Sequence, residues 1–316
     1  MSFSSQVKDE LARTSVENTC CRISELAGLV RMCGSIQIDA FEIRSVYFTT
    51  ENASIARRLI TFLKKLYTKN IETTMIKNTQ LKQNRYYRIT VNDAYAAQTL
   101  LSDVQFIYGD GIFDHHYPVT ADLLRQPCCV RSYIRGCFLG SGSVSNPERS
   151  YHLEFVTRSS DHGEDLIHWL ESVGFNPRLS QRKGNYLVYV KEADQISDLL
   201  AYMGASNSVL KFEDIRVVKD IRNNVNRIVN CETANLSKTL EASFKHLEDI
   251  EYIEQTLGLD NLPINLQEIA KIRREYPEAS LQELGSYAQP PVGKSGVNHR
   301  LKKISEIARK LRGDVG

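Results

Sequence analysis

The residues best equipped for chemistry lie near the C-terminus. Between Lys294 and Arg312, seven cations (Lys294, Arg300, Lys302, Lys303, Arg309, Lys310 and Arg312) face a single acid, Glu306, a local charge of +6 in a chain whose formal net charge is +2. Ser295, Asn298 and His299 sit among them. Lysine and arginine hold phosphates without reading sequence, whereas asparagine pairs bidentately with adenine and serine serves several bases. The cluster therefore predicts double-stranded DNA as partner, with Ser295, Asn298 and His299 at base edges and Lys294, Arg300, Lys302 and Lys303 on phosphates. A helix macrodipole alone also gathers cations at a C-terminal end. Here they crowd the N-terminal half as well, where the dipole prefers anions.

Other chemically able residues make weaker cases. Asp114, His115 and His116 are of metal-ligating types, but adjacent histidines lack a third partner at usable spacing, and a loop is the expectation. The seven cysteines include two adjacent pairs, Cys20-Cys21 and Cys128-Cys129. Their spacing fits neither a disulfide framework nor a zinc site, so buried reduced thiols are expected. No residue pattern calls for a metal or another cofactor.

The elements that must position the basic cluster are helical. In Ser295–Leu311, Val297, Leu301, Ile304, Ala308 and Leu311 recur at steps of four and three and form one apolar face, opposite Ser295, His299, Lys302 and Lys303. Ser295 is the expected N-cap. Before it, Ser280 and Glu283 make a capping box for a short helix through about Tyr287, and Pro290 and Pro291 interrupt the chain. Short helix, tight turn and basic amphipathic helix predict a helix-turn-helix at about 280–312, whose second helix enters the major groove. Upstream, Leu240, Phe244, Leu247, Ile250, Ile253 and Leu257 predict a helix from Leu236 to Gly258, and Asn265 is the expected cap of another through Tyr276.

The rest of the chain is a duplication. At a shift of 108 residues, Leu26–Ser35 (LAGLVRMCGS) overlays Ile134–Ser143 (IRGCFLGSGS), pairing Gly28 with Gly136, Gly34 with Gly142 and the two cysteine pairs with each other. Each copy predicts a helix, with Ser24 as the expected cap of the first, followed by a hairpin, a helix, two strands and a closing helix, in the order αββαββα. Alternation in Tyr86–Val91 puts Tyr87, Ile89 and Val91 on one sheet face and Tyr86, Arg88 and Thr90 on the other. The second face is polar and partly basic: Lys77, Lys82, Arg85 and Arg88 in one repeat and Arg178, Arg182 and Lys183 in the other. Arg85, Arg88, Arg182 and Lys183 are candidates for a second DNA contact, against the reading of solvated strand tips.

Both glycine-bearing copies resemble the LAGLIDADG motif of homing endonucleases, in which two helices pack along a pseudo-twofold axis and each ends in a metal-binding acid. Here that position is Cys33 in one copy and Ser141 in the other, poor donors for a hard cation. The resemblance therefore implies the fold and not the reaction. A degenerate LAGLIDADG domain followed by a helix-turn-helix is similar to the WhiA family of bacterial regulators, most specifically through NRIVNCETANLSKT (226–239) and KSGVNHRLKKI (294–304). That resemblance spans the chain. It implies a non-catalytic, sequence-specific DNA-binding protein, a transcriptional or chromosomal regulator in cell division and chromosome segregation, in sporulation in filamentous relatives, and a Gram-positive source.

The expectation is thus an α+β protein with no catalytic residues: repeats at 1–115 and 116–215, a connector at 216–235 rich in Asn, Arg and Lys, and a helical DNA-binding domain at 236–316. A hydrophobic share of 42% and a charged share of 25% suit a globular chain. With no apolar leader and no run long enough to span a bilayer, the expected place is the cytoplasm, at the nucleoid, with no membrane partner. Two alternatives stand beside it: a scaffold whose LAGLIDADG-like domain docks another regulatory protein, and a magnesium-dependent endonuclease using displaced carboxylates such as Asp39 or Glu148.

Overall fold

The computed structural model describes residues 2–39, 42–77, 85–107 and 118–313. Lys82, Asp114, His115 and His116 lie outside the described residues. The chain divides into two compact units, Met1–Lys219 and Asp220–Gly316.

The first unit contains the duplication. After α1 (Phe3–Leu11), the first repeat runs α2 (Thr19–Cys33), β1 (Gly34–Asp39), β2 (Glu42–Thr50), α3 (Ala53–Leu66), β3 (Ile71–Lys77), β4 (Arg85–Val91) and α4 (Ala94–Asp103). The second repeats it as α5 (Pro127–Ser141), β5 (Gly142–Val144), β6 (Leu153–Thr157), α6 (Ser160–Glu171), β7 (Arg178–Arg182), β8 (Asn185–Val190) and α7 (Ala193–Met203). The sheets have matching orders, β1-β2-β4-β3 and β5-β6-β8-β7, antiparallel throughout. Equivalent positions are buried in both: Phe48 with Phe155, Leu59 with Leu166, Phe62 with Trp169. One apolar core runs through both repeats, from Phe3 to Phe212.

The motif helices α2 and α5 cross at their glycines. A Cβ on Gly28 would lie 2.6 Å from the Tyr133 carbonyl oxygen, and one on Gly136 would meet the Glu25 carbonyl oxygen at 2.2 Å. Only a residue without a side chain permits that approach. Beside the crossing, Glu25 is fully buried and accepts from two arginines, each contributed by a different element. Arg58 on α3 pairs with it through Nε and through Nη2 at 2.8 Å, and Arg135 on α5 donates through Nε at 2.9 Å. Further guanidinium protons reach the carbonyls of Ala12, Thr14 and Met203 and the Ser132 hydroxyl, so the triad is compensated by hydrogen bonds as well as charge.

Helix α8 (Ser206–Thr256) carries the chain from the first unit into the second. Its first turn is capped by the Glu10 carboxylate, which accepts from the backbone of Asn207 and Ser208 and from the Ser208 hydroxyl at 2.6–2.9 Å. Residues 216–235 thus form a helix interior, and the helix begins well before Leu236. With no glycine or proline from Ser206 to Thr256, nothing in this stretch breaks it. Asn223, Asn224, Asn226, Asn230 and Asn235 are exposed along it, so none caps a helix end.

Three expected caps fall elsewhere. Asn18, rather than Ser24, precedes α2, and Ser24 turns its hydroxyl back to the Cys20 carbonyl at 2.9 Å. Helix α9 (Ile264–Glu275) starts directly after Pro263, leaving Asn265 inside its first turn. The last helix starts after Gly293, leaving Ser295 past the cap. The cysteine expectation holds in part: all seven thiols are free, with Cys21, Cys129 and Cys137 buried, but Cys20 and Cys231 are exposed.

Candidate nucleic-acid interface

In the second unit, α8, α9, α10 (Leu281–Tyr287) and α11 (Lys294–Leu311) close on a small core. Ile250, Ile253, Leu266, Ile269, Leu284, Val297, Leu301, Ile304 and Ala308 are buried in it, while Phe244 and Leu311 stay exposed at 64% and 40%. The capping box forms as read: the Ser280 amide donates to Glu283 at 2.7 Å and the Glu283 amide to the Ser280 hydroxyl at 3.3 Å. The turn then folds against α10, where the Val292 amide donates to the Gly285 carbonyl at 2.9 Å. A Cβ on Gly285 would come within 2.0 Å of the Val292 carbonyl oxygen, so this glycine sets how closely the turn approaches.

Burying Val297, Leu301, Ile304 and Ala308 turns the opposite face of α11 outward. Lys294, Ser295, Asn298, His299, Lys302 and Lys303 are all exposed there. The displaced cap keeps the Ser295 hydroxyl off the helix end, because the Gly293 carbonyl already accepts from Gly296 and Val297. Lys294, Lys302, Lys303, Arg309 and Lys310 form no ion pair among the described residues.

Two arginines of the cluster are spent internally. Arg300 is half-buried and pairs with Glu268 of α9 at 3.2 Å, and Glu268 also accepts from the Gln289 amide at 2.6 Å. Arg300 therefore ties α11 to α9 and to the turn, unlike the exposed lysines of the same cluster. Arg312 pairs with buried Asp249 at 2.8 Å and lies over the Tyr252 ring. Sequence reading missed both, because their acids lie far back in the chain and only tertiary packing delivers them.

In the first unit the ends of α2 and α5 open into a cleft of about 1500 Å³. Cys33 and Ser141 line it at the equivalent positions. The Cys33 thiol donates to the Leu29 carbonyl at 3.3 Å, and burial pushes its pKa up to about 12. The Ser141 hydroxyl rests on the Met32 sulfur at 3.0 Å. Of the candidate second contacts, Arg88 lines the cleft, its guanidinium over the Tyr47 ring at 4.8 Å. Arg85, Arg182 and Lys183 are exposed outside it; Lys183 and Gly184, both at positive φ, form the tight β7–β8 turn.

The cleft is mixed in charge, since Arg31, Arg88 and Arg158 share it with Asp161, Glu164 and Asp165. The acids come from α6 alone, and the duplication did not flag them because its equivalent, α3, carries Ser54, Arg57 and Arg58 at those positions. Asp165 accepts from the Val119 amide at 3.3 Å and burial raises its pKa. Next to it, burial pushes His162 down to about 3, so this imidazole is neutral. Asp39 and Glu148, the displaced carboxylates considered from sequence, do not line the cleft: Asp39 pairs with Arg44 at 2.8 Å and Glu148 bonds Asn146.

A double α+β repeat pivoting on two glycine-bearing helices, joined to a unit that ends in a helix-turn-helix, defines a LAGLIDADG-type saddle with an all-α helix-turn-helix domain. Family models bear this out along the chain: the WhiA N-terminal LAGLIDADG-like domain at 19–107, the WhiA LAGLIDADG-like domain at 130–222 and the WhiA C-terminal HTH domain at 225–308. A relative from Alkaliphilus metalliredigens, named "Probable cell division protein WhiA", is 48% identical over 99% of each chain. A relative of the same name from Clostridium acetobutylicum is 44% identical, again over 99% of each. This chain belongs to the WhiA family. The crystal structure of full-length DUF199/WhiA from Thermatoga maritima shares its fold, with a TM-score of 0.58 at 24% identity, covering 98% of this chain and 99% of that one. Among the described residues no helix is long and apolar enough to cross a membrane.

Proposed function

We propose that this protein is a non-catalytic, sequence-specific DNA-binding regulator of cell division and chromosome segregation, acting on transcription or chromosome organisation at the nucleoid. The observation that carries the reading is the outward face of α11, where exposed Lys294, Ser295, Asn298, His299, Lys302 and Lys303 stand together while Arg300 and Arg312 brace the helix from behind. In a helix-turn-helix, residues at the start of the second helix reach base edges and nearby cations hold phosphates. Ser295, Asn298 and His299 take the first role, Lys294, Lys302 and Lys303 the second. The cell-division assignment rests on the names of the relatives.

The absence of catalysis rests on Cys33 and Ser141, neutral groups where the motif's acids would hold a hard cation. Arg85, Arg88, Arg182 and Lys183 supply a weaker second DNA contact, and the mixed charge of the cleft favours the docking of another regulatory protein on the saddle. Binding-site selection from a random duplex pool tests the base-reading role. Asn298→Ala should retain binding but recover sequences with relaxed preference at an adenine; an unchanged preference would remove Asn298 from that role.

A further inference from the structure

The duplication brings together residues that sequence spacing keeps apart. Cys20 and Cys21 occupy the first turn of α2, and Cys128 and Cys129 the first turn of α5. The two helices cross, so the pairs meet: the sulfur atoms of Cys20, Cys21 and Cys129 all lie within 4.8 Å of one another. Cys128, half-buried, precedes Cys129 in the same turn of α5.

We propose that these four sulfurs, from Cys20, Cys21, Cys128 and Cys129, bind one zinc ion that clamps the first turns of the two motif helices. A tetrathiolate zinc site has metal–sulfur bonds of about 2.3 Å, which puts neighbouring sulfurs about 3.8 Å apart. The three clustered sulfurs need only side-chain adjustment to reach that spacing, and Cys128, beside Cys129 in the same turn, turns in to supply the fourth. Four thiolates around a divalent ion leave two negative charges, and the first turns of two helices are where backbone N–H groups favour an anion. On binding, each thiol releases its proton to solvent, so neither oxidant nor reductant is consumed. Cys20 is exposed and Cys21 and Cys129 are buried, which gives an entry side and a closed floor. Sequence spacing argued against zinc because it looks for two ligands on one segment at CxxC spacing; here adjacent cysteines are completed by their copies across the pseudo-twofold.

Cobalt(II) serves as the spectroscopic probe on the full-length chain, prepared under reductant and stripped with a chelator. The site predicts one cobalt per chain, with the intense visible bands of tetrahedral cobalt and sulfur-to-cobalt charge transfer in the near ultraviolet, bleached by one equivalent of zinc. Zinc should also raise the thermal midpoint of the wild-type chain. Cys20→Ser combined with Cys128→Ser, which spares the two buried thiols, should abolish the bands and the zinc-dependent shift, whereas Cys231→Ser should change neither. If stripping unfolds the chain, zinc content as isolated replaces the titration: one ion in the wild type, none in a double variant with wild-type circular dichroism. A folded, reduced wild-type chain without thiolate bands overturns the site, whether or not the thiols cross-link on oxidation, and so do bands that persist in the double variant.

Discussion

Glu25 links the two repeats through a buried charge. It is fully buried, it belongs to the first repeat, and one of its two arginines belongs to the second. Taking charge from the centre of a compensated buried triad leaves two guanidinium groups facing a neutral partner, a change that typically costs about 3–5 kcal/mol. Glu25→Gln is accordingly expected to lower the free energy of unfolding of the first unit in urea by an amount in that range; an unchanged value would mean that the arginines are held by the carbonyls of Ala12, Thr14 and Met203 and the Ser132 hydroxyl alone. Replacing the whole triad with packed apolar residues is a different experiment, which removes the desolvation cost together with the attraction.

At the scale of elements, the α2–α5 crossing depends on glycine. The Cβ of Gly136→Ala would sit 2.2 Å from a backbone oxygen of the partner helix, so relief requires the helices to separate. Overpacking of a close-packed core costs about 1–3 kcal/mol, and loss of that size in chemical denaturation is the expected outcome, against a wild-type curve if the crossing is loose.

This crossing was legible in the sequence because the two glycines recur at a fixed shift within matched helical patterns, and the αββαββα order followed from periodicity. The face of α11 was legible for the same reason, since Val297, Leu301, Ile304 and Ala308 mark what must be buried. What stayed hidden depends on contacts between distant segments. Glu268 pairs with Arg300, Glu10 caps α8, and Glu25 gathers Arg58 and Arg135, none of them at a spacing that a local pattern detects. The caps at Ser24, Asn265 and Ser295 failed because a suitable residue type signals a helix start only when the chain actually turns there. The composition of 216–235, polar and rich in asparagine, concealed a helix because exposed helix faces tolerate such residues once the ends are held by packing.

At the scale of the whole molecule, two units divide the work proposed for the protein: a duplicated saddle kept as architecture, and a helix-turn-helix that holds DNA. With a formal net charge of only +2, bulk attraction is weak, and affinity has to come from local clusters such as that on α11. Phosphate contacts bind any sequence, so this claim can be tested without knowing the target site. The measurement is the dependence of DNA affinity on salt concentration for the full-length wild type and for Lys302→Ala combined with Lys303→Ala, by fluorescence anisotropy on an arbitrary duplex. Each phosphate contact contributes about 0.9 to the slope of log affinity against log salt. The double variant should therefore bind every duplex more weakly, with a slope smaller by about 2. Equal affinity and equal slope in the two proteins would contradict the assignment of DNA binding to α11.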